Sequence, residues 1–142
     1  MQIGIPKETH LGEQRTPFIP ASVEKLVKKN ANICVESGLG QTIGITDDEY
    51  TKVGAKILGR DELLSSSDIV LRLRKPPTEE ISKLKKDSIH VSFLDPFNEA
   101  ELIDAFAKNN ITAVSMEMIP RSTIAQKMDA LSSQANLAGY VT

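Results

Sequence analysis

The sequence predicts an α/β domain, a three-layer Rossmann-like or flavodoxin-like fold on a mostly parallel sheet that ends in a connecting helix. Two observations carry this. Short runs rich in Ile, Val and Leu alternate along the chain with amphipathic segments, the order of parallel βαβ units. The 142 residues suffice for one core, and 40% hydrophobic with 25% charged residues fits a soluble α/β protein.

The elements run in this order. Gln2–Ile5 reads as a strand, followed by a polar loop to Thr16. Residues 20–30 read as a helix that starts on Pro20 and points Val23, Leu26 and Val27 inward. Asn32–Glu36 is a second strand. Thr46 and Glu49 have capping-box spacing, so a short helix should run from there to about Val53. A weak strand covers residues 55–58 and a short helix residues 61–64. A strand rich in Ile, Val and Leu covers residues 68–73. Residues 78–84 form a short helix behind Pro76 and Pro77. Residues 90–94 are a strand, and Asn98 caps a helix through Lys108 with Leu102, Ile103 and Phe106 inward. Residues 111–115 are the sixth strand. The last helix runs from about Gln126 to Tyr140. It stops without a cap, as expected if the chain were cut from something longer.

Several function classes are disfavoured. A net charge of −2 offers no global attraction to nucleic acid or acidic membranes. No apolar run approaches the ~20 residues that span a bilayer. Pro6, Lys7 and Glu8 interrupt any signal-peptide core. The single cysteine, Cys34, excludes an internal disulfide and reads as core. His10 and His90 lack metal-ligand spacing to Cys34, so no metal is expected. No Walker sequence and no Gly-x-Ser-x-Gly elbow is present.

Ligands of open parallel sheets bind beyond the carboxyl ends of the strands. Lys7, Glu8 and Arg15 follow the first strand and Arg74 and Lys75 the fourth. Asp95 follows the fifth, and Glu117 and Arg121 the sixth. Basic groups at one edge suit a carboxylate or phosphate. Arg15, held in Arg15-Thr16-Pro17, and Arg74 are the candidates for a substrate anion.

Gly38-Leu39-Gly40-Gln41-Thr42-Ile43-Gly44 resembles the dinucleotide fingerprint but places three residues, not two, before its last glycine. The helix signal also starts too late, at Thr46. The stretch therefore reads as a connector in which Gly38 and Gly40 permit positive φ.

The strongest constellation is Arg121, Gln126, Asp129, Ser132, Ser133 and Asn136. The last four lie at i, i+3, i+4 and i+7, on one helix face. A solvent face usually carries Lys and Glu. This one carries amide, hydroxyl and carboxylate groups, which suits a ligand or another domain.

Pro120–Tyr140, read as a block, resembles the signature segment of proton-translocating NAD(P) transhydrogenase α subunits. Ile3-Gly4-Ile5-Pro6-Lys7-Glu8 with Arg15, and Val35-Glu36-Ser37-Gly38-Leu39-Gly40, are similar to the wider group that includes alanine dehydrogenase. In alanine dehydrogenases a Lys follows the fourth strand and a His the fifth. The matching positions here are Arg74 and Asp95, a departure that argues against amino-acid oxidation.

The resemblance implies an NAD(H)-binding component of two Rossmann-like domains. Residues 1–125 would be the first and residues 126–142 the start of the interdomain helix, with the NAD-binding domain absent. It implies direct hydride transfer between NADH and NADP⁺, with NADP(H) held by a separate component and proton movement carried by membrane partners. Arg121, Asp129 and Ser132 would orient the nicotinamide carboxamide, and Gln126 would reach toward NADP(H). It also implies a homodimer, peripheral on the cytoplasmic face of a bacterial inner membrane or on the mitochondrial matrix side. The alternatives are an alanine dehydrogenase-type enzyme with a substrate carboxylate on Arg15, and a non-catalytic binding or assembly module.

Overall fold

The computed structural model describes residues 1–120 and 122–141. Six strands form one all-parallel sheet: β1 (Gln2–Ile5), β2 (Asn32–Glu36), β3 (Lys56–Leu58), β4 (Ile69–Leu71), β5 (Ile89–Ser92) and β6 (Thr112–Ser115). Their order is β3-β2-β1-β4-β5-β6. That is the Rossmann order rather than the flavodoxin one, and it reverses direction between β1 and β4.

The register explains the layers. Ile3 lies between Ile33 and Ile69, and Gly4 between Cys34 and Val70. Ile3, Ile5, Ile33 and Val35 pack with Val23 of α1 (Pro20–Val27) and Tyr50 of α2 (Asp47–Lys52). Cys34 and Val70 face the other way, against Leu63 and Leu64 of α3 (Arg60–Ser66). On that second face the His90 ring lies 5.1 Å from that of Phe106 of α4 (Ala100–Lys108), the two tilted by 40°. Both faces are covered near the sheet centre, which is why the central strands read as nearly continuous apolar runs.

The element ends have local causes. After α1, Asn30 takes φ 63° and the Ala31 N–H closes on the Leu26 carbonyl at 3.1 Å. After α4, Asn110 takes φ 56° and the Ile111 N–H closes on the Phe106 carbonyl at 3.0 Å. Both are helix stops of the left-handed kind that Asn tolerates, so the first helix ends at Val27 rather than Asn30. At Thr46 the backbone N–H and the hydroxyl both donate to the Glu49 carboxylate, at 2.8 and 3.0 Å.

The short helix expected over residues 78–84 is a 3₁₀ helix, Thr78–Lys83. Two expectations need correction. Asn98 does not cap α4. Its amide donates to Asp95 at 2.8 Å, and Glu99 precedes the helix without a side-chain cap. The last helix does not start at Gln126. A 3₁₀ turn covers Ala125–Met128, Asp129 is extended, and α5 runs Ala130–Val141. Among the described residues no helix is long and apolar enough to cross a membrane.

Candidate functional site

The strand order places the crevice at the carboxyl ends of β1 and β4. Its floor is an ion network. The Glu36 carboxylate at the end of β2 accepts the Lys7 N–H at 2.8 Å and Arg60 Nη1 at 2.7 Å. Arg60 Nε donates to Glu80 at 2.7 Å, and Arg72 Nη1 donates to the same carboxylate at 2.8 Å. Burial pushes the Arg72 guanidinium below its ordinary value, against the pull of Glu80. Burial acts to raise the Glu80 carboxyl, but Arg60 and Arg72 outweigh it and hold it down. Arg60 and Arg72 also donate to the Lys7 carbonyl, which ties the start of the first loop to this network.

Above this floor the first loop meets the loops after β4 and β5. Glu13 joins Arg15 and Arg74, although 61 positions separate it from Arg74. Hydrogen bonds from Arg15, outweighing burial and helped by Arg74, hold the Glu13 carboxyl at about 2. Arg15, Leu73, Arg74, Phe93, Ala130 and Gln134 line an open depression of about 320 Å³. A smaller one of about 170 Å³ adjoins it, lined by His10, Arg74, Lys75, Phe93, Asp95 and Glu117. Glu117 accepts the Asp95 N–H and the Ser115 hydroxyl. Burial acts to raise its carboxyl, and these bonds bring it below its ordinary value. Lys75 is paired with Glu99. One edge therefore carries guanidinium donors on one side and carboxylate acceptors on the other.

The start of α5 closes the larger depression. Asp129 is not on the helix but before it: its carboxylate accepts the Ser132 N–H at 3.1 Å and the Ser132 hydroxyl at 2.6 Å. Gln126 is exposed in the 3₁₀ turn, its N–H donating to the Ser122 carbonyl at 2.9 Å. Ser133 and Asn136 are exposed on α5. Arg121 lies outside the described residues. The structure thus brings Arg15 and Arg74 together and clasps Asp129 to Ser132. Sequence reasoning missed Glu13, His10, Phe93 and Gln134. Glu13 alone carried a signal, a carboxylate two residues before an arginine it could bind.

The glycine-rich stretch does not fit a pyrophosphate. The Gly38 N–H, which a phosphate would need, donates to Asp47 at 2.7 Å, and the Ser37 hydroxyl donates to the same side chain at 2.8 Å. Gly38 has φ 77° as expected, but Gly40 has φ −92° and is glycine for another reason. A Cβ there would lie 2.6 Å from Ile45 Cβ and 2.7 Å from its carbonyl oxygen. The next element is a 3₁₀ turn, Gln41–Ile43, not an α-helix. The stretch is a connector whose donors are already engaged, and it offers no phosphate cradle.

A parallel sheet in Rossmann order, with its polar cleft at the switch point, defines a Rossmann-like α/β domain. The chain belongs to the family described as alanine dehydrogenase/PNT, N-terminal domain, which residues 4–138 match. Within it, the chain is 38% identical over 141 residues to the NAD(P) transhydrogenase subunit alpha of Cereibacter sphaeroides, covering 99% of this chain and 27% of that one. It superposes on the crystal structure of transhydrogenase from Sinorhizobium meliloti with a TM-score of 0.91, at 38% identity, covering 99% of this chain and 42% of that one. It is also 29% identical over 143 residues to the alanine dehydrogenase of Methanococcus maripaludis, covering all of this chain and 38% of that one. The chain spans between about a quarter and two-fifths of the length of these relatives.

Proposed function

We propose that this chain is the first domain of the NAD(H)-binding component of a proton-translocating transhydrogenase. The intact protein passes hydride directly from NADH to NADP⁺, held by a separate component, while membrane partners move protons. Residues 1–125 form the domain, and residues 126–142, whose helix α5 starts at Ala130, lead to a second, NAD-binding domain. The component is a homodimer, peripheral on the cytoplasmic face of the membrane or on the matrix side of mitochondria. The chain by itself is inactive.

The observation that supports this reading over its rival is Asp95. Amino-acid oxidation on the family pattern needs an imidazole after β5, and a carboxylate stands there, with Glu117 on its backbone N–H. Direct hydride transfer needs no acid or base. When bound, the nicotinamide rings supply the chemistry, and the protein has only to position them. Asp129 and Ser132 already hold each other, so a carboxylate and a hydroxyl stand side by side where a carboxamide would be oriented. By the family resemblance, Arg121 and Gln126 are the other two residues of the proposed site, Arg121 for the carboxamide and Gln126 for the NADP(H) component.

The test is hydride transfer by the full-length subunit reconstituted with its NADP(H)-binding partner. Gln126→Asn and Asp129→Asn should each lower the rate by about tenfold or more, the scale of a small misplacement of reacting groups. Normal rates in both would sink the site assignment.

A second reading, an alanine dehydrogenase-type enzyme, is favoured by His10, which brings an imidazole into the same depression as Asp95 from a different loop. It predicts alanine-dependent NADH formation by the full-length protein, abolished by His10→Ala. No such formation would eliminate it.

A further inference from the structure

Where β1 ends, a side chain takes over the hydrogen bonding of a strand. β1 stops at Ile5, and Pro6 follows with no N–H to extend the ladder. The Lys7 carbonyl is taken by Arg60 Nη1 at 3.2 Å and Arg72 Nη2 at 3.4 Å. Just beyond β4, the Leu73 and Arg74 N–H groups donate to the two oxygens of the half-buried Glu8 carboxylate, at 2.6 and 3.2 Å. The peptide between Leu73 and Arg74 carries the contact further, because its carbonyl accepts the Phe93 N–H at 3.0 Å. One carboxylate therefore fixes the segment after β4 directly and the segment after β5 through a single peptide unit. Hydrogen bonds chained through one peptide polarise and strengthen each other.

We propose that Glu8 is a positioning residue of the cleft: its carboxylate stands in for a neighbouring strand and holds Leu73, Arg74 and, through them, Phe93 in place. Those three residues line the larger depression together with Ala130 and Gln134 of α5, one residue on from the Asp129–Ser132 clasp. The chemistry of the side chain suits the task. A carboxylate only accepts hydrogen bonds, so both of its oxygens can face N–H donors, and its charge makes each bond strong. An amide of the same shape would turn a donor toward one of the two N–H groups. Glu8 acts through the backbone it holds, not on reacting atoms, and small displacements of such a wall are costly in rate.

The inference rests on the transhydrogenase reading for its effect on hydride transfer, but not for the clasp itself. Two measurements on the full-length protein keep these apart. Hydrogen exchange followed by mass spectrometry reads the clasp. In Glu8→Ala, the amides of Leu73, Arg74 and Phe93 should exchange about tenfold faster or more, the scale of a lost charge-assisted bond. Hydride transfer with saturating nucleotides reads the consequence. Glu8→Gln should lower kcat by about tenfold with the KM for NADH unchanged, because the wall is misplaced while the second domain still binds the nucleotide. A merely structural role would reduce the folded fraction and leave kcat per folded molecule intact, and circular dichroism reports that fraction. Unchanged exchange at these amides in folded Glu8→Ala overturns the proposal. So does a folded Glu8→Gln protein with wild-type kcat. If wild type transfers no hydride, the transhydrogenase reading fails, and the exchange rates alone decide for or against the clasp.

Discussion

His90 illustrates what a single residue does to the pH dependence of this fold. It is the second residue of β5, fully buried. Nε2 lies 3.1 Å from the Ser92 hydroxyl, and Nδ1 has no hydrogen-bond partner among the described residues. Burial, reinforced by the charge of Arg72, pushes its pKa down to about 3. The unfolded chain takes up this proton near pH 6.5 while the folded chain refuses it. Stability linked to His90 is therefore complete above pH 6.5 and falls as the pH drops toward 3, with a slope of about 1.4 kcal/mol per pH unit. Between pH 6.5 and 5, urea unfolding of His90→Gln should lose this slope, whatever the absolute stability of the variant. Glu13, also depressed, acts in a lower window: its contribution is present above about 4.5 and lost as the pH falls toward 2. The sequence places His90 at the start of a strand, without metal-ligand spacing to Cys34. Neither the missing partner nor the nearby Arg72 could be read there, because both depend on the neighbouring strand.

At the scale of elements, α5 is the instructive case. The polar spacing from Asp129 to Asn136 was legible, yet the helix starts four residues later than the periodicity predicts. Asp129 commits its carboxylate to the Ser132 N–H and hydroxyl, which is N-cap geometry. The same side chain cannot cap the helix and continue it. Asp129→Ala should cost about 1 kcal/mol of helix stability, seen as a lower far-UV helical signal and earlier thermal fraying. Asp129→Asn, still a good cap, should keep the signal, so a fall in hydride transfer with that variant reports on the charge rather than the helix. Where the signature was the familiar Thr-x-x-Glu of Thr46, the start of α2 was readable to the residue. The stop at Asn30 overrode apparent periodicity because a left-handed residue reverses the chain regardless of the residues after it, whereas α4 ends at Lys108 as the sequence predicts, with Asn110 left-handed beyond it.

For the whole molecule, the ion network under the crevice joins residues from β2, α3, the segment just after β4 and the 3₁₀ turn Thr78–Lys83. Glu80 is its weakest point, since it neutralises both Arg60 and Arg72, and Arg72 is buried. Glu80→Ala should destabilise by about 3–5 kcal/mol, because it leaves an uncompensated buried charge. The denaturant midpoint measures this, and a change under about 1 kcal/mol would place the network outside the folding energetics. None of these residues stood out in the sequence, where each reads as one more surface charge.

Taken alone, the sequence determined what neighbours along a chain can encode: the strand–helix alternation, the Thr46 cap, the apolar faces of α1 and α4, and a C-terminal stripe with too few lysines for plain surface. It also limited the glycine stretch to a connector, since spacing is a local property. The strand order, the crossing from β3 to β4 that opens the crevice, and the meeting of Glu13 with Arg74 were decided by tertiary structure. Those contacts join residues far apart in the chain, and only burial and close packing select them from the many pairings that the same charges allow.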